Sequence, residues 1–137
     1  MPDHLLDTCA VIWLTQGDPW REPAASELPA ALDRSATLFV SPITAWEVGM
    51  LVAKGRIALA LDPDLWFERV CALPDVKLAA MPPSVLAAST ALPGQPSGDP
   101  ADRILIATAR AFGYSLVTRD EKILEYGARG HVQVMAC

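Results

Sequence analysis

Histidine and paired cysteine are nearly missing from this sequence. The two histidines, His4 and His131, stand far apart without ligand spacing, and Cys9, Cys71 and Cys137 form no CxxC pair. No Cys/His metal motif is present, and an odd, scattered set of cysteines reads as reduced thiols in a cytoplasm. Long apolar runs are missing too: none approaches the ~18–20 residues of a membrane span. No basic segment leads into an apolar one at the start, so no signal peptide is expected. Positive charge is in deficit, with a formal net charge of −5. That argues against a protein that coats nucleic acid with Lys and Arg, though not against an enzyme that reaches phosphate through a bound cation. Internal repeats, low-complexity tracts and domain boundaries are also lacking, so residues 1–137 are expected to form one domain around one sizeable core. The 52% hydrophobic and 20% charged composition is that of a globular chain.

What is present is alternation. "HLL" at 4–6 predicts a short buried strand, with a helix from Thr8. "AASELPAALDR" predicts a helix interrupted at its proline, and "ATLFV" at 36–40 a second strand. "SPITAWEVGMLVAKG" is a well-marked helix, with Ser41 as N-cap, Pro42 in the first turn and Gly55 at the end. "DPDLWFERVCAL" repeats the signal with Asp62 and Pro63. "VKLAAM" at 76–81 is a third strand, "PPSVLAASTAL" a short helix and "PGQPSG" a loop. "DPADRILIATARAFG" is a helix from N-cap Asp99 to Gly113. "SLVT", "RDEKILEYG" and "VQVMA" complete the series as strand, helix and strand. Strands alternating with helices predict an α/β fold with a mostly parallel sheet covered on both faces.

The acids then fall into a pattern. Asp7 follows the first strand and Asp120 the fourth, where sites form in parallel α/β sheets. Asp99 and Asp102 occupy the N-cap and third position of one helix. Glu47 shares a helical face with Ile43, Met50 and Leu51; that face is expected to be buried, and a lone buried carboxylate is costly. Each acid alone has an ordinary reading. Asp7 and Asp99 suit helix caps, Asp102 suits a helix N-terminus, Glu47 can reach water at a face edge, and Asp120 suits a polar turn. One site gathering Asp7, Glu47, Asp102 and Asp120 explains them together.

These motifs resemble those of PIN-domain nucleases, most closely the VapC-type ribonuclease toxins of toxin–antitoxin pairs. The matching pieces are "LLDTCAVIWL", "SPITAWEVGML" with "KGRIAL" behind it, "GDPADRILIATARAFGYSLVTRDEKI" and "VQVMA", in order over nearly the whole chain. The resemblance implies an α/β/α sandwich with a five-stranded sheet, Mg²⁺- or Mn²⁺-dependent cleavage of RNA, a cognate antitoxin and a homodimer. It carries the family's acidic quartet onto Asp7, Glu47, Asp102 and Asp120, an accessory acid onto Asp99, and hydroxyl positions onto Thr8 and Thr118. Met50 and Leu51 stand where the family often has a lysine, and Ser97 where it often has a histidine.

The chemistry suits the residues independently. Phosphodiester hydrolysis needs an activated water and a stabilised leaving oxyanion, and hard divalent ions supply both. Such ions take oxygen ligands and keep several waters, so a few carboxylates suffice. Asp7 is expected to be the central ligand, with Glu47 and Asp102 completing the principal site. Asp120 would bind a second ion or orient the attacking water, and Thr118 would hydrogen-bond a carboxylate or that water. Arg103, Arg119 and Lys54 are phosphate-contact candidates, and Cys9 reads as a small core residue. Two other classes compete. A phosphoacceptor regulatory domain wants an acid beside Asp7 and a lysine after the last strand, and finds Thr8 and "VQVMAC". A non-catalytic adaptor on the same fold is expected to have lost a carboxylate, and none is missing.

Overall fold

The computed structural model describes residues 3–17 and 19–137. Five short strands, β1 (His4–Leu6), β2 (Leu38–Val40), β3 (Val76–Leu78), β4 (Ser115–Thr118) and β5 (Val134–Ala136), alternate with helices. The helices are α1 (Thr8–Gln16), α2 (Ala24–Asp33), α3 (Pro42–Ala53), α4 (Pro63–Cys71), α5 (Pro83–Ser89), α6 (Pro100–Phe112) and α7 (Glu121–Ala128). The sheet order is β3-β2-β1-β4-β5 and every pairing is parallel. The chain winds outward from β1 through β2 to β3, then returns to lay β4 on the other side of β1. The switch point therefore lies between β1 and β4, where a parallel sheet opens a crevice beyond its carboxyl ends.

Period-two alternation divides the strand side chains between two cores. Leu6, Leu38, Val40 and Val117 pack with Ala10, Val11, Ala24, Leu28 and Val70 under α1, α2 and α4. Leu5 and Leu116 pack with Leu105, Ile106, Ile123 and Tyr126 under α6 and α7. The result is an α/β/α sandwich, and the central strands β1 and β4 are buried throughout. That is why their middles, Leu5–Leu6 and Leu116–Val117, are apolar, with polar His4, Ser115 and Thr118 only at strand ends.

Several expectations need correction. Helix α2 runs unbroken through Pro29. A proline there costs the helix one hydrogen bond, and burial of Ala24, Leu28 and Ala31 along one side holds the segment down. The second, third and fifth strands are shorter than their apolar runs, because ladder pairing covers three residues in each. Asp62 stands at the α4 cap position but makes no side-chain cap bond. The Ile43–Glu47–Met50 face of α3 is not a core face. Thr44 and Val48 are the buried pair, Glu47 is half-buried and Met50 exposed, because α3 packs against the helices α1, α4 and α6.

His4 is buried at the amino end of β1, and its Nδ1 has no hydrogen-bond partner. Burial pushes its pKa below the usual 6.5, against the pull of the Asp3 and Glu27 carboxylates. The unfolded chain therefore binds this proton first on acidification. The His4 contribution to stability is expected to fall as pH drops through about 6.5, so melting temperatures between pH 8 and pH 5 should show a His4→Leu variant gaining on the wild-type protein as the pH is lowered.

Candidate active site

Four elements each deliver one carboxylate to the crevice. Asp7 is the first residue beyond β1, its N–H fixed 2.9 Å from the Val117 carbonyl oxygen. Asp120 stands two residues beyond β4 and caps α7, accepting from the N–H groups of Lys122 and Ile123 at 2.8 and 3.2 Å. Asp102 lies in the first turn of α6 and Glu47 midway along α3. All four line a cleft of about 400 Å³ together with Thr8, Cys9, Ile12, Trp13, Leu51 and Arg119. A larger cavity, about 690 Å³, opens among α6, α7 and β5, and no carboxylate lines it.

Hydroxyl groups fix the acids. Thr118 Oγ1 donates to Asp7 Oδ2 at 2.6 Å and accepts the Asp120 N–H at 3.0 Å, so one buried threonine links the ends of β1 and β4. Asp7 Oδ1 accepts from Thr8 N–H at 2.6 Å. Thr8 Oγ1 donates to Glu47 Oε1 at 2.5 Å, which makes Thr44 the donor in its 3.1 Å contact with Thr8. Ser97 Oγ donates to Asp102 Oδ2 at 3.1 Å. Among the described residues, Glu47, Asp102 and Asp120 each retain one carboxylate oxygen without a protein hydrogen bond.

The electrostatics are one-sided. Burial raises the pKa of Asp7, against the donors Thr118, Cys9 and Thr8, and Asp120 raises it further. Glu47 is raised by burial, and by Asp7 and Asp99, against the Thr8 hydrogen bond. Asp102 is pushed up to about 7, first by burial and then by Asp7 and Asp99. Every charge that shifts these three groups is another carboxylate. Hard oxygen donors, free carboxylate oxygens and uncompensated repulsion fit a divalent cation of the Mg²⁺ or Mn²⁺ type. As they stand, no three His, Cys, Asp or Glu side chains among the described residues are grouped to hold an ion.

Other sequence candidates are placed differently. Asp99 caps α6, accepting from Ala101 and Asp102 N–H at 2.9 and 3.1 Å, and borders an adjoining cavity that shares Asp102 and Asp120. Arg103 is turned to the carbonyls of Ser89 and Ser97, and Lys54 is the C-cap of α3; neither lines the cleft. Cys9 is not a core residue. It is half-buried on the cleft wall and donates to Asp7 Oδ2 at 3.4 Å, and burial pushes its thiol pKa far up, with Asp7 adding to the effect. Trp13 is not singled out by the sequence, and Ser97 is named there only as a departure from the family's histidine, not as a partner of Asp102. Helical spacing from Cys9 to Trp13 was the available signal for the first; the second depends on how the loop before α6 folds back.

The PIN domain family model matches residues 4–128. A Mycobacterium tuberculosis protein named Ribonuclease VapC22 is 34% identical over 123 residues, covering 90% of this chain and 91% of the relative. Two solved structures share the fold. A crystal structure of VapBC2 from Rickettsia felis bound to a DNA fragment from its promoter superposes with a TM-score of 0.66 at 14% identity, covering 97% of each chain. A toxin–antitoxin complex from Klebsiella pneumoniae gives 0.56 at 23% identity, covering 88% of each.

The raised Asp102 pKa fixes a pH dependence. A carboxyl that titrates near 7 when folded and near 3.8 when unfolded costs stability as pH rises between those values, with the full cost above 7. In chelator at pH 8, Asp102→Asn is expected to melt higher than the wild-type protein, by roughly 5 °C. Calorimetry should show that gain shrinking below pH 7 and gone below about pH 4.

Proposed function

The chain belongs to the PIN domain family, and we propose that it is a metal-dependent endoribonuclease, the toxin of a toxin–antitoxin pair. The observation that carries this reading is the convergence of Asp7, Glu47, Asp102 and Asp120, from four separate elements, on one cleft at the carboxyl ends of the strands. Residues 1–137 act as one catalytic unit. The named ribonuclease relative supports RNA as substrate, and the toxin–antitoxin complex among the structural neighbours supports an antitoxin partner.

The four carboxylates would hold the Mg²⁺ or Mn²⁺ ion, with Asp7 as the central ligand. Bound there, a divalent ion acidifies water and neutralises charge on the departing oxygen. The chain's own residues set orientation and proton balance. Thr118 and Thr8 hold Asp7 by both oxygens, so its carboxylate plane is preset. Thr8 aligns Glu47, and Ser97 aligns Asp102. Asp102, titrating near 7, exchanges a proton with solvent at neutral pH when no cation is bound. Asp120 is held through one oxygen by the end of α7 and keeps the other for an ion or for the attacking water. Asp99 supports Asp102 by capping the helix that carries it.

An apolar groove lined by Leu14, Trp20, Leu28 and Leu32 flanks α1 and α2 and suits an apolar antitoxin segment. A partner arginine matches the carboxylates as a bidentate fork. The reading includes a homodimer at work in the cytoplasm. No helix among the described residues is long and apolar enough to cross a membrane.

The test is cleavage of a defined RNA panel with Mg²⁺, Mn²⁺ or chelator. Glu47→Gln and Asp7→Asn are expected to lower metal-dependent cleavage by roughly 100-fold or more while leaving a cooperative melt, since each removes charge from the ion's ligand set. Chelator-resistant cleavage, or near-wild-type rates in either variant with contaminating nuclease excluded, overturns the assignment. Wild-type protein that binds RNA and cuts none of the panel leaves the adaptor reading standing instead.

A further inference from the structure

Arg119 is the one basic side chain on the wall of the four-carboxylate cleft. An arginine beside four acids is expected to fold onto one of them. This one does not, because three restraints hold it. Its backbone is pinned between Thr118, which is bonded to Asp7, and Asp120, which caps α7. Its Nε donates to the backbone oxygen of Cys137 at 2.9 Å. Its guanidinium carbon lies 3.4 Å from the centroid of the Trp13 ring, which lines the same cleft. The indole face attracts the cation and fixes its plane. Arg119 is absent from the charges that shift Asp7, Glu47 or Asp102. Among the described residues, none of its nitrogens bonds a carboxylate of the cleft: Nε is held by the Cys137 backbone oxygen, and the Cys137 thiol is its other side-chain hydrogen-bonding neighbour.

A guanidinium carries five N–H donors, and Cys137 does not use them all here. The remainder sit on a rigid, half-exposed fork whose geometry matches a phosphate. The cleft around it is otherwise acidic and repels a polyanion. We propose that Arg119, stacked on Trp13, is the substrate-binding clamp of this site: its Nη groups take the non-bridging oxygens of an RNA backbone phosphodiester and hold the strand beside the carboxylates. Trp13 acts through Arg119 and is a positioning residue. This rests on the nuclease reading above and names the contact that brings the substrate in. A purely structural role, tying Trp13 to the end of the chain, accounts for the Cys137 contacts and the stacked face but leaves the remaining N–H donors unexplained.

The experiment measures binding apart from cleavage. Anisotropy of a labelled single-stranded RNA is followed in an Asp102→Asn background with Mg²⁺ over a range of KCl concentrations. Arg119→Gln is expected to weaken binding about tenfold and to reduce the salt slope by about 0.7, the value for one phosphate contact on a single strand. Trp13→Leu and Arg119→Lys keep the charge, so both keep the slope and bind a few-fold more weakly. In the cleaving protein, Arg119→Gln raises KM and leaves kcat within a few-fold. An unchanged Kd and salt slope in a folded Arg119→Gln variant overturns the proposal, whatever its melting temperature. If Arg119→Gln does not fold, unchanged RNA affinity in both Trp13→Leu and Arg119→Lys overturns it equally. A parent protein that neither binds nor cuts RNA overturns the nuclease reading and this inference together. A parent that cuts RNA while Arg119→Gln matches its affinity and slope overturns this inference alone.

Discussion

The 2.6 Å hydrogen bond from Thr118 to Asp7 joins the ends of two strands that the chain makes more than a hundred residues apart. It lies at the sheet's switch point, where β1 has sent the chain one way and β4 brings it back. The geometry of the cleft depends on it. The same hydroxyl accepts the Asp120 N–H, so Asp7 and Asp120 are placed relative to each other by one buried side chain. Parallel pairing of β1 with β4 sets the spacing, and the threonine sets the angle. From Asp7 the network passes through the neighbouring Thr8 to Glu47 and Thr44, which brings α3 to the same place.

This arrangement holds charge at a cost. Carboxylates are drawn together in a partly buried cleft, and each of the three shifted acids feels only others of its own sign. Burial and repulsion hold Asp102 near neutrality in its titration. A fold that needed only stability would relieve such a cluster with a lysine or an apolar residue. Here the nearest arginine is diverted onto an indole and a backbone oxygen instead. The hydroxyl donors offset part of the desolvation of Asp7 and Glu47 without neutralising them, which leaves negative potential in place for a cation and preserves the shape of the ligand set.

Some of this was readable from residue order. The Asp7, Asp99 and Ser41 caps, the glycine at the end of α6 and the buried strands β1 and β4 carry their own local reasons, and each is where the sequence places it. The acids could be located at strand ends and helix starts for the same reason. Glu47 was harder. Its helical spacing pointed to a buried face, yet α3 packs on α1, α4 and α6 with its Thr44–Val48 side inward. Helical periodicity reports which residues share a face, not what that face meets.

Local chemistry thus determined the alternation of strands and helices, the caps, the parallel α/β class and the presence of acids at the carboxyl ends of strands. The caps and elements follow from contacts within a few residues, and the parallel class from the order in which strands and helices alternate. Tertiary structure alone decided that Cys9 faces a cleft, that Ser97 bonds Asp102, and that Arg119 rests on Trp13 while Arg103 turns to backbone carbonyls. Those outcomes depend on which distant element packs alongside and at what angle. A side chain with several partners in reach takes the one that the packing of other elements leaves open.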